Sequence, residues 1–172
     1  MTTVAWLFML STLWLQRDTE VVLGVVERDL TGDGRPEILR VVGVGPTRNK
    51  LELTFTIESE GKGVYRSRLE PFVPDRARVE EFRRWFFARE KFQRPAEFVD
   101  TLRAMSRTGV ADIPNAIARD RLPSETRDGG EIWKEILNSP VTIFTFSPGG
   151  DAIVAIGWSA RAGRFYRLLE CC

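Results

Sequence analysis

The sequence predicts an α+β fold with largely antiparallel pairing. About seven strands are expected, four N-terminal and three C-terminal, with a helical middle segment between them. Three observations carry this. Leu51, Leu53, Phe55 and Ile57 alternate with Glu52, Thr54, Thr56 and Glu58, the period-two signature of a half-buried strand. Val79, Phe82, Trp85, Phe86, Arg89 and Phe92 instead recur at helical spacing. Short Gly- and Pro-bearing separators divide the terminal thirds into hairpin-sized pieces.

In chain order, Val4 to Leu15 is apolar and uncharged, too short for a membrane span but of the length of a secretory signal core. No Lys or Arg precedes it and no small-x-small cleavage site follows, so a buried first helix or strand is the competing reading. Residues 1–16 are therefore set apart as a signal or anchor segment, and residues 17–172 as one domain. Val21 to Arg28 reads as a strand, apolar on both faces and so expected to be central. The loop Asp29 to Glu37 follows, then a second apolar strand from Ile38 to Val44, closed by Gly45-Pro46. The alternating strand comes next. Glu60-Gly61-Lys62-Gly63 turns it back into Val64 to Leu69, and Pro71 and Pro74 end the sheet.

Pro74-Asp75 starts the aromatic-rich helix, which is expected to run to about Phe92, before Pro95. Phe98, Leu102 and Met105 indicate a second helix stopped near Gly109, and Ile113 to Ile117 a short helical turn. Ser124 to Gly130 is a polar loop. Ile132, Trp133, Ile136 and Leu137 form one more short helix, ended by Asn138-Ser139-Pro140. The last strands are Val141 to Phe146, Ala152 to Trp158 and Arg164 to Leu169.

Composition limits function. The 172 residues are 43% hydrophobic and 28% charged, enough for one domain with a core. A net charge of +1, from 25 basic and 24 acidic residues, provides no global field for nucleic acid or anionic lipid. The absence of histidine removes Ser-His-Asp and Cys-His catalysis, the common zinc sites and any imidazole pH switch. Cys171 and Cys172 are adjacent and terminal, so they cannot staple distant parts of the domain; a vicinal disulfide, a link to a second chain and a frayed reduced tail are all open, and the pair is expected to add nothing to the fold.

The chemistry concentrates in Asp29-Leu30-Thr31-Gly32-Asp33-Gly34-Arg35-Pro36-Glu37. Oxygen-bearing side chains stand at alternate positions around a Gly-Asp-Gly turn, as in loops that wrap calcium. The candidate ligands are Asp29, Thr31, Asp33 and Glu37, with the backbone carbonyl of Arg35. An EF-hand would place a bidentate Glu where Arg40 stands and a helix where a strand is expected, so that reading fails. The segment Val21 to Val41 resembles the calcium loop of FG-GAP and related repeats of bacterial surface proteins, which run strand, Asp-x-Asn-Gly-Asp-Gly, strand. That resemblance implies ligation by Asp29, Asp33 and Glu37. Thr31 stands in place of the usual Asn or Asp, Glu37 in place of the usual Asp, and the motif occurs once, so propeller and adhesion are not carried over. A plain turn is the competing reading, with Arg28 and Arg35 neutralising the carboxylates.

Two other candidates are weaker. Arg76 to Arg94 interleaves arginines with Phe82, Trp85, Phe86, Phe87 and Phe92, a pattern that can bind single-stranded nucleic acid. Phe82, Trp85 and Phe86 are instead expected to be core residues of an amphipathic helix, so no nucleic-acid partner is expected. Glu52 and Glu58 share a strand face, but nothing singles out a catalytic carboxylate pair. The expectation is a non-enzymatic, periplasmic or secreted domain holding one calcium ion and binding a protein partner, with membrane contact only through the N-terminal segment. The alternatives are a metal-free intracellular interaction or regulatory domain and, further off, a carboxylate-based hydrolase.

Overall fold

Period-two alternation folds the N-terminal third into an antiparallel meander. β1 (Thr19–Arg28), β2 (Glu37–Gly45), β3 (Glu52–Ser59) and β4 (Lys62–Leu69) pair in sequence order as sheet A. The computed structural model describes residues 18–47, 50–70, 76–107 and 129–171. Beyond sheet A come α1 (Arg76–Phe86), a single 3-10 turn (Arg89–Lys91), the two-residue β5 (Phe92–Gln93), α2 (Pro95–Arg107) and α3 (Gly129–Leu137). The last third returns as β6 (Ile143–Gly149), β7 (Ala152–Ser159) and β8 (Arg164–Cys171), forming sheet B in the order β5-β6-β7-β8. All pairs in both sheets are antiparallel, so the α+β expectation holds, with eight strands in two sheets among the described residues.

Alternating residues of sheet B serve two cores, because successive side chains point to opposite faces. Phe144, Phe146, Val154, Ile156 and Phe165 face sheet A and join Leu39, Val41, Leu53, Phe55 and Ile57. Ile143, Ala155, Tyr166 and Leu168 face the other way, onto Phe98 and Leu102 of α2 and Ile136 of α3. The layers are thus sheet A, sheet B, then α2 and α3, while α1 packs Phe82 and Phe86 into the inter-sheet core. The inter-sheet core is aromatic. The ring of Phe55 lies 5.5 Å from Phe86, 5.5 Å from Phe144 and 5.0 Å from Phe146.

Three expectations are corrected. β1 is an edge strand rather than a central one. A bulge between Val22 and Gly24 turns both Leu23 and Gly24 inward, while Val22 and Val25 stay in water at 50% and 37% exposure. An apolar residue on both faces therefore meant one face on the core and one uncovered.

The aromatic helix also stops at Phe86, short of Phe92. Trp85, Phe86 and Phe87 are consecutive and cannot share one helical stripe. The chain leaves the helix, Ala88 is extended (φ −60°, ψ 144°), and Phe92 becomes a strand residue stacked 4.7 Å from Phe144. Phe87 fills the space beside Gly24, where a Cβ would approach its ring to 2.8 Å. Third, Trp85 is not a core residue: it is 50% exposed, whereas Phe82 and Phe86 are buried.

The expected N-terminal signal or anchor and the turn at Ile113 to Ile117 lie outside the described residues, as does Cys172. Cys171 contributes its backbone to β8, opposite Ile153.

Candidate metal loop

The β1–β2 connection is the loop singled out by sequence, and local chemistry explains its shape. Gly32 and Gly34 take φ of 76° and 84°, the left-handed region that an L side chain resists. This curls the backbone so that its N–H groups point inward. Gly32 and Gly34 donate to the two carboxylate oxygens of Asp29 at 2.7 and 2.9 Å. Arg35 N–H donates to Asp33 Oδ1 at 2.8 Å. These are side-chain-to-backbone turns, a standard use of Asp in tight loops.

Glu37 behaves differently. It opens β2 and is 1% exposed. Its Oε2 accepts from the Leu30 backbone N–H at 2.7 Å, and its Oε1 accepts from the hydroxyls of Thr31 at 3.2 Å and Ser59 at 3.4 Å. A buried carboxylate without a counter-ion is costly unless donors surround it. Here a backbone amide and two hydroxyls fill that role.

Among the described residues, the two arginines have partners other than the loop carboxylates. Arg35 pairs with Glu60 at the β3–β4 turn, and the Arg28 guanidinium lies 5.4 Å from the ring centre of Phe92.

The structure thus joins Thr31 to Glu37 and folds the backbone onto Asp29, with Asp33 and Arg35 exposed at the mouth. It does not bring Asp29, Asp33 and Glu37 to one centre; among the described residues no three acidic, His or Cys side chains are grouped to hold an ion. A three-carboxylate cage therefore does not fit this arrangement. Each Asp29 oxygen accepts one backbone N–H and keeps a second lone pair, and Asp33 is exposed four residues on.

Sequence reading missed the residues that hold the loop in place. Leu30 is fully buried, and its carbonyl accepts from the Thr142 N–H, just before β6, at 3.1 Å. Gly32 lies against Pro140, where a Cβ would sit 2.7 Å from the carbonyl oxygen. The available signal was Leu30 itself, a lone large apolar residue inside an otherwise polar loop.

The other candidates resolve into surface and core. Glu52 pairs with Arg68 at 3.2 Å across the outer face of sheet A, both largely in water. Of the interleaved aromatics, Phe82, Phe86 and Phe87 are buried, and the Lys91 ammonium sits 3.8 Å from the ring centre of Trp85. Burial lowers the Lys91 pKa below the usual amine range, with Glu90 opposing. Beside Trp85 and Phe82 an open groove of about 680 Å³ runs past Leu53, Leu69 and the β6–β7 turn. No protein-family model, curated protein or solved structure matches the chain.

Proposed function

We propose that the chain is a non-enzymatic, exported domain that binds a protein partner and takes one calcium ion at the β1–β2 loop. The observation that supports the calcium assignment is the preformed mouth. Gly32 and Gly34 already hold Asp29 inside the turn, so little ordering is left for an ion to impose. Asp29, Asp33 and the Arg35 carbonyl are the ligands, water completes the shell, and Glu37 supports the loop from below instead of coordinating. A bound calcium ion would supply charge neutralisation and stiffness there, and no reaction. Two carboxylates make a weak site, in the extracellular range of about 10⁻⁴ to 10⁻³ M. Support for a binding rather than catalytic role comes from the lack of histidine. The partner is assigned to the outer face of sheet A, where Val22, Val25 and Val44 are exposed together.

Thermal unfolding of the purified domain under calcium titration tests this. With a dissociation constant of about 0.1 mM, about 1 mM calcium stabilises the fold by roughly 1.4 kcal/mol. Asp33→Ala should abolish that gain, and magnesium should reproduce little of it because it demands tighter octahedral geometry. A melting temperature indifferent to several millimolar calcium would leave the metal-free interaction domain as the reading.

A further inference from the structure

We propose that the β1–β2 loop is a cross-layer coupling device: through Glu37 and Leu30 it makes the β3–β4 turn and the start of β6 open and close as one unit. This does not rest on the calcium reading. The chain of contacts begins at Ser59, the last residue of β3, whose hydroxyl donates to Glu37 Oε1 at 3.4 Å. The other oxygen of the same carboxylate accepts from Leu30 N–H at 2.7 Å. The Leu30 carbonyl in turn accepts from Thr142 N–H at 3.1 Å, immediately before β6. One carboxylate and one leucine thus connect the end of a sheet A hairpin to sheet B.

Two contacts brace this line. Arg35 pairs with Glu60 at the same turn, and Gly32 rests on Pro140 at the same connector. Leu30 and Glu37 are 0% and 1% exposed, so water does not readily replace the bond between them. Breaking that bond leaves a buried amide and a buried carboxylate oxygen unpaired, and that favours releasing the contacts on either side of it together. Local openings of this kind report as cooperative units in amide exchange.

Native-state hydrogen exchange on the full chain, read residue by residue, tests the coupling. In Glu37→Gln, the Thr142 amide and the Lys62 amide, which closes the β3–β4 hairpin opposite Ser59, should exchange about tenfold faster, while the Tyr166 amide in β8 changes by less than about twofold. Ser59→Ala removes one hydroxyl only. It should show the same pattern with a smaller factor, and it keeps the test valid if Glu37→Gln does not fold. Unchanged exchange at Thr142 in a folded variant would overturn the proposal, and so would uniform acceleration that includes Tyr166.

Discussion

A charged side chain can be buried if donors meet it, and a neutral hydroxyl can be buried at a loss if none does. Glu37 is the first case and Tyr65 the second. The Tyr65 hydroxyl is buried with the Arg167 and Ser67 side chains beside it but no well-formed hydrogen bond. Burial raises its pKa, and Arg167 only partly opposes the shift. Tyr65→Phe should therefore be neutral or slightly stabilising, within about 0.5 kcal/mol by urea unfolding. A loss above about 1 kcal/mol would mean that the hydroxyl is bonded in solution.

Glu135 of α3 offers a pH test. Its carboxylate accepts from Ser159 Oγ at 2.8 Å and Arg161 N–H at 3.0 Å, tying α3 to the β7–β8 turn. Burial raises its pKa, but these bonds, the Ala160 N–H and the Arg161 charge outweigh it and hold the value below the ordinary 4.5. A depressed acid stabilises the fold above its unfolded pKa and loses that contribution as pH falls through the folded one. Wild type should exceed Glu135→Gln in stability at neutral pH, and the gap should close below about pH 4.5. A gap constant down to pH 2 would count against this account. At this scale the sequence displayed Asp29, Asp33 and Glu37 as a set. It could not display what meets Glu37, because Ser59 lies 22 residues away and only the register of β2 on β3 brings them together.

At the scale of elements, the two loop glycines separate backbone strain from crowding. Both have positive φ, but a Cβ at Gly34 meets nothing within 4 Å, whereas at Gly32 it meets the Pro140 carbonyl. Gly34→Ala should cost about 1–2 kcal/mol, the left-handed penalty alone. Gly32→Ala should cost clearly more, because the connector before β6 must also shift. Equal losses in denaturant melts would show that the loop does not press on Pro140. The strands were legible because period two survives in Leu51 to Glu58, and because Gly-bearing separators mark where they end. The end of α1 was not. Phe92 satisfies helical spacing from Phe82 and Trp85 yet pairs with Phe144, and only the presence of β6 decides between the two. The edge position of β1 was illegible for a related reason: residue pattern reports burial, and Val22 and Val25 are apolar without being buried.

At the scale of the molecule, the rings between the sheets set stability. Phe86 is fully buried and lies 5.0–6.0 Å from Phe55, Phe82, Phe87, Phe144 and Phe146, which belong to sheet A, sheet B and the helical connection. Phe86→Ala should destabilise by about 3–5 kcal/mol in equilibrium unfolding, the range for removing a buried ring. A loss below about 1 kcal/mol would place Phe86 at a surface rather than in the core. The order of elements, strands then helices then strands, was enough to read the class. The split into two sheets was not, since β4 and β6 both run antiparallel to their neighbours and nothing in either strand says which sheet it joins.

Sheet B's double service has a consequence for how the chain tolerates change. A strand with one wet face can slip by a residue and lose only that one face. In β7, a slip of one would push Ala155 toward the aromatic core while Val154 and Ile156 turned toward the helices, so two fits would fail together. The reading frame of β6 to β8 is thus proofread from both sides. Single-residue insertions in these strands should be far more damaging than the same insertions in the exposed turn at Ala160 to Gly163.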